Sequence, residues 1–107
     1  MATRIKRLFP EPIEFDWDDG NANKNWIRHH VAQIECESAF FNDPKFIRAD
    51  PSHSEKEQRY ICLSKTKQSR YLLVSFTIRI NKVRIISARD MTPREFQEFK
   101  KYEKENS

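Results

Sequence analysis

Between residues 70 and 94 the chain alternates with a period of two. Leu72, Val74, Phe76 and Ile78 fall on one face of a pleated strand, and Ser75, Thr77 and Arg79 on the other, because successive side chains of a strand point to opposite sides. Asn81 marks a turn, and on the return Val83, Ile85, Ser87 and Arg89 alternate with Arg84, Ile86 and Ala88. The pattern predicts a β-hairpin. It leads into Thr92-Pro93-Arg94-Glu95, a capping box with proline at the first helical position, which marks a helix start. Phe96, Phe99 and Tyr102 then recur at helical spacing; a stripe of this kind packs on a sheet more often than it binds a ligand.

Upstream the periods are shorter. Residues 1–12 read as a flexible basic arm ending in Pro-Glu-Pro, with the folded domain over 13–107. Ile13, Phe15 and Trp17 alternate with Glu14 and Asp16 and suggest a short strand. Asp18 or Asp19 offers an N-cap for a helix through about Arg28, with Ala22, Trp26 and His30 on one face. A second helix is expected over 33–41, with Cys36, Ala39 and Phe40 inward and Glu35 and Glu37 early, where the helix dipole favours acids. Asp43-Pro44 ends it. Residues 45–49 read as a short strand, 50–55 as a loop, 58–64 as a strand and 65–69 as a polar turn. Consecutive strands with short connections imply an antiparallel sheet of four or five strands. With two N-terminal helices and one C-terminal helix, the class is α+β.

Composition sharpens this. A chain of 107 residues supports one core. Hydrophobic content is 37% and charged content 34%, so eight Phe, three Tyr and two Trp, or a partner, must help a small core. There is one glycine, which leaves turns to Asn, Asp, Ser and Pro. Cys36 and Cys62 sit in apolar patterns and read as buried free thiols of a reducing compartment. No apolar run has the length of a membrane span and no signal peptide is visible, so the expectation is a cytoplasmic protein away from membranes.

The net charge of +4 says little, but its distribution says more. From Arg59 to Arg94 there are nine bases (Arg59, Lys65, Lys67, Arg70, Arg79, Lys82, Arg84, Arg89, Arg94) against one acid, Asp90; from Glu14 to Glu57 there are ten acids and five bases. Arginines that alternate with core residues are costly to desolvate unless they meet an anion or stay wet. The reading that follows is phosphate, against the plainer one of a solvated basic face. No glycine-rich phosphate loop, GxSxG or HExxH occurs, and His29, His30, His53 and the cysteines lack zinc spacing. Neither metal nor cofactor is expected.

A histidine or glutamate beside several arginines suits metal-free RNA cleavage, with a base for the 2′-hydroxyl, cations for the charge on phosphorus and an acid for the leaving 5′-oxygen. Glu57 and Arg59 leave a strand start on the same face, with His53 just upstream. Each has a plainer alternative: Glu57 and Arg59 as a salt bridge, His29 as a cap on terminal carbonyls. Periodicity leaves open which sheet face is exposed, since Arg84 and Arg89 fall on opposite ones.

The runs Phe15-Asp-Trp-Asp18, Lys24-Asn-Trp26 with His29 and Val31, Phe40-Phe-Asn-Asp-Pro44, His53-Ser-Glu with Glu57 and Arg59, Phe76-Thr-Ile-Arg79, and Val83-Arg-Ile-Ile-Ser-Ala-Arg-Asp-Met91 resemble the BrnT family of toxins over about residues 13–103. The resemblance implies a RelE-like small ribonuclease that inhibits translation and growth, and a BrnA-like antitoxin with a ribbon-helix-helix domain. Operator DNA would be bound only through the complex of the two. The family positions here are Lys24, His29, His53, Glu57, Arg59, Arg79, Arg84, Arg89 and Tyr102. Of these His53, Glu57, Arg59, Arg79 and Arg89 are assigned to catalysis. Lys24, His29, Arg84 and Tyr102, with Arg70 from the hairpin, are assigned to RNA binding. The chain departs from the family at Ser64 and Ser69, where glycines are usual, and at Ala32, where a Thr usually caps the second helix. A non-catalytic nucleic-acid-binding or antitoxin-binding module is the alternative.

Overall fold

The computed structural model describes residues 12–53 and 56–106. The arm expected over 1–12 lies outside them except for Pro12, as do Ser54 and Glu55 of the loop. The elements are α1 (Lys24–His29), α2 (Gln33–Phe41), β1 (Phe46–Ala49), a 3-10 turn (Pro51–His53), β2 (Arg59–Lys65), β3 (Tyr71–Arg79), β4 (Lys82–Asp90) and α3 (Pro93–Asn106). The four strands pair antiparallel in the order β1-β2-β3-β4, giving an α+β domain. Among the described residues no helix is long and apolar enough to cross a membrane.

Alternation in β3 directs the main core. Leu72, Val74 and Phe76 join Cys62 of β2 and Val83, Ile85 and Ala88 of β4 against Val31, Cys36, Ala39 and Phe40. Phe40 meets Phe76 edge-on at 5.0 Å, a favoured aromatic geometry. Both cysteines are free and fully buried, and burial pushes their thiols up to about 12. On the opposite face Leu63 and Leu73 pack under Phe99 of α3. The capping box forms as expected: the Glu95 N–H donates to Thr92 Oγ1 at 3.2 Å and the Thr92 N–H to Glu95 Oε1 at 2.9 Å.

One feature of β4 breaks the alternation. Ser75 faces Ser87, but Phe76 faces Ile85. A β-bulge therefore inserts one residue, and every side chain beyond it changes face. Ala88 joins Val83 and Ile85 in the core. Arg84, opposite Thr77, and Arg89, opposite Leu73, come to the same side of the sheet, where regular alternation separates them.

The expected strand at 13–17 is reduced to a parallel bridge between Phe15 and Val83. The Val83 N–H donates to the Glu14 carbonyl and the Asp16 N–H to the Val83 carbonyl, both at 2.8 Å. Buried Asn21 donates to the Ile85 carbonyl at 2.9 Å, and Asn25 Oδ1 accepts the Ala88 N–H at 2.9 Å. The segment thus covers the outer edge of β4, whose open N–H and C=O groups would otherwise invite foreign strands.

α1 starts at Lys24 and not after Asp18 or Asp19. Asp18 still caps a turn ahead of it: its carboxylate accepts the Gly20 N–H and its carbonyl the Ala22 N–H, both at 2.8 Å, while the same carboxylate grips Arg84 at 2.9 and 3.0 Å. A Cβ on Gly20 would lie 3.1 Å from Asp18 Oδ1, so the single glycine stands where a side chain would crowd that carboxylate. At α2, Ala32 has no side-chain oxygen to offer, but Glu35 Oε1 accepts the Ala32 N–H at 2.9 Å and supplies half of a capping box. Ser69 takes a left-handed φ of 65°, the conformation glycine adopts most easily, whereas Ser64 is buried within β2. Ile80 and Asn81 form the β3–β4 turn with φ of 49° and 61°. Two positive φ values make the turn that matches strand twist, but a β-branched residue is strained there.

Candidate active site

Residues directly opposite in a sheet share a face. On the α3 side the apolar row Phe46–Leu63–Leu73 lies under the helix. Beyond it come Arg48 and the serines 75 and 87, then Arg59, Thr77 and Arg84, and finally Arg79 opposite Lys82. The half of this face away from α3 is therefore basic, built from strand positions two residues apart and joined by the bulge.

The anions that meet four hairpin arginines are the protein's own carboxylates. Arg79 binds Glu57 through Nε and Nη2 at 3.0 and 2.9 Å. Arg84 is held by Asp18 and lies 3.5 Å from Asp16. Arg89 binds both oxygens of Glu95 at 2.8 and 3.0 Å. Arg70 donates to Asp90 at 2.7 and 3.1 Å, to both oxygens of Glu35 at 3.1 Å, and to the carbonyls of His30 and His29 at 2.8 and 3.2 Å. In each pair the guanidinium holds the carboxyl of Asp18, Glu57, Asp90 or Glu95 below its ordinary range, as hydrogen bonding to the charged form does. Glu57 is consequently ionised at neutral pH and acts as a clamp on Arg79, a poor proton donor.

Where β2 begins and β3 ends lies an open cleft of about 600 Å³ lined by Ser52, His53, Lys56, Glu57, Arg59 and Arg79. Four of the five residues assigned to catalysis, His53, Glu57, Arg59 and Arg79, meet there. Arg89 stands on the same sheet face beside the start of α3. The residues assigned to RNA binding are dispersed. Lys24 Nζ approaches the Ile86 carbonyl at 3.4 Å on the edge of β4. His29 ends α1 and offers its carbonyl to Arg70. Tyr102 stacks on Phe46 at 4.7 Å with planes 6° apart, in the packing role expected of that stripe. Arg84 neighbours the cleft through Thr77 and Arg59.

Three lining or supporting residues escape sequence reasoning: Lys56, Ser52 and Asp50. His53 Nδ1 lies 3.0 Å from Asp50 Oδ2 and 3.0 Å from Ser52 Oγ, and Ser52 Oγ donates to Asp50 Oδ1 at 2.8 Å. The signal for them is local. An Asp three residues before a His, with Pro and Ser between, is the composition of a turn whose side chains fold back on one another. Among the described residues no cluster of three His, Cys, Asp or Glu could hold a metal ion. Such a cleft can bind an anion between two guanidiniums and exchange a proton through an imidazole.

Residues 17–95 match the family described as ribonuclease toxin, BrnT, of type II toxin-antitoxin system. No curated protein matches the chain.

Proposed function

Since the chain belongs to the BrnT family, ribonuclease toxins of type II toxin-antitoxin systems, we propose that it cleaves RNA internally, without metal, by attack of a 2′-hydroxyl on the adjacent phosphate. The observation that carries this reading is the convergence of His53, Arg59 and Arg79 on one cleft at the basic end of the sheet. Arg59 and Arg79 hold the scissile phosphate, and Glu57 fixes the Arg79 fork so that it presents its remaining donors. His53 is the proton-transfer group, because its imidazole lines the same cleft and a neutral ring carries one donating and one accepting nitrogen. A base takes the 2′-hydroxyl proton, the 2′-oxygen bonds to phosphorus, and the bond to the 5′-oxygen breaks as that oxygen gains a proton. The products are a 2′,3′-cyclic phosphate and a 5′-hydroxyl. Arg89 and Arg84 extend the cationic track along the sheet. The fold reads as RelE-like, and the antitoxin that the family implies is of the BrnA, ribbon-helix-helix kind.

A second reading is favoured by the carboxylate pairing of Arg70, Arg79, Arg84 and Arg89: a non-catalytic module that grips RNA backbone or the antitoxin. It predicts binding that weakens steeply with salt and no turnover. Incubating the purified chain with RNA in EDTA separates the two. Fragments ending in 2′,3′-cyclic phosphate are expected; RNA that is bound but stays intact would overturn the enzyme.

A further inference from the structure

The turn before β2 holds a hydrogen-bond arrangement that fixes where the proton of His53 resides. Asp50 is tied to the sheet, its N–H donating to the Arg59 carbonyl at 2.8 Å, and the His53 N–H donates back to the Asp50 carbonyl at 3.3 Å. The turn is therefore anchored to the strand that carries a cleft arginine. Hydrogen bonds from Ser52 and then from His53 hold the Asp50 carboxyl below its ordinary range, so at neutral pH it accepts and never donates. Ser52 has a single O–H, and it is given to Asp50 Oδ1. Two acceptors, Asp50 Oδ2 and Ser52 Oγ, consequently face His53 Nδ1, each at 3.0 Å. Nδ1 must carry the hydrogen.

We propose that Asp50, backed by Ser52, is a positioning residue that holds the neutral His53 ring in its Nδ1–H form, leaving Nε2 as the proton-accepting atom in the cleft. An imidazole in water prefers the opposite form, with the hydrogen on Nε2. Without Asp50 the ring would spend most of its time with its basic nitrogen on the wrong side. The carboxylate also favours the charged ring that forms once the proton has been taken. The role in cleavage rests on the ribonuclease reading above; the tautomer does not.

Two measurements on the full chain test it. The first is the ring ¹⁵N spectrum of His53 in wild type, Asp50→Asn and Asp50→Ala. The wild-type ring should show Nδ1 protonated and Nε2 bare when neutral. Asp50→Asn should keep that form through its amide oxygen. Asp50→Ala should revert to the Nε2–H form. A wild-type ring protonated on Nε2 overturns the proposal whether or not RNA is cut. The second is cleavage of a labelled mixed-sequence RNA: Asp50→Ala should lose roughly 10- to 100-fold in kcat with KM little changed, and Asp50→Asn should recover part of it. Wild-type rates in Asp50→Ala overturn the proposal. If the spectra are as expected and wild type leaves RNA intact, the ribonuclease reading falls and the positioning of His53 stands.

Discussion

Arg70 and Arg79 flank β3, one just before its first residue and the other at its last, and both fork onto a carboxylate. Their surroundings differ. Arg70 is bonded to two carboxylates and two backbone carbonyls and ties β4, the end of α1 and the first turn of α2 into one unit. Arg79 is half-exposed, has Glu57 as its carboxylate partner, and forms part of a cleft wall. The first arrangement uses most of the donors of a guanidinium to hold backbone; the second leaves donors facing an opening. A bidentate pair alone therefore does not distinguish a staple from a poised cation. The number and origin of the partners does.

The two arginines should differ most in what their loss does at the cleft. Arg79→Ala is expected to lower RNA cleavage about 10²- to 10³-fold, the effect of removing one donor from a developing charge, while the unfolding midpoint stays where it is. Equal loss of stability in Arg79→Ala and Arg70→Ala would erase the distinction. Arg70→Ala should destabilise the fold by about 2 kcal/mol, since hydrogen bonds to charged groups vanish and carbonyls lose a donor, seen as a lower urea midpoint at unchanged slope. Its pH dependence has a definite sign. Arg70 holds Asp90 below the ordinary 3.8, so this stabilisation is complete above that value and is lost as pH falls through the lower, folded-state one. The gap between wild type and Arg70→Ala should narrow in acid.

The smallest effect sharpens the picture next to Arg79. Ile80 is 94% exposed and packs little, yet holds φ at 49°. Ile80→Gly should stabilise the hairpin by about 1 kcal/mol and leave cleavage unchanged. A gain in stability accompanied by lost cleavage would make the strained tip part of the site.

Much of this was legible in the chain. The faces of β3, the helix start at Thr92 and the inward residues of α2 follow from local periodicity and capping chemistry, which need no knowledge of distant contacts. Three things were not. The bulge in β4 is set by pairing with β3, and period-two counting runs straight through it. The late start of α1 was hidden because Asp18 caps only a turn, and its carboxylate also engages Arg84, 66 positions away. The carboxylates that meet the arginines lie 20 or more positions away for Arg70 and Arg79, so the charge count could show that cations must meet anions but not which ones. At the cleft, His53, Glu57, Arg59 and Arg79 were nameable because they sit within one short turn-and-strand pattern and its hairpin partner. Asp50 was hidden by its ordinary reading as a turn former.

Glu95 serves two masters. Its Oε1 closes the first turn of α3 on the Thr92 N–H while both of its oxygens clasp Arg89 on the sheet. The helix end and that guanidinium are thus wired to the same carboxyl group. A single proton landing there would weaken one half of the capping box, leaving Thr92 Oγ1 on the Glu95 N–H, and would loosen a paired cation on the open face.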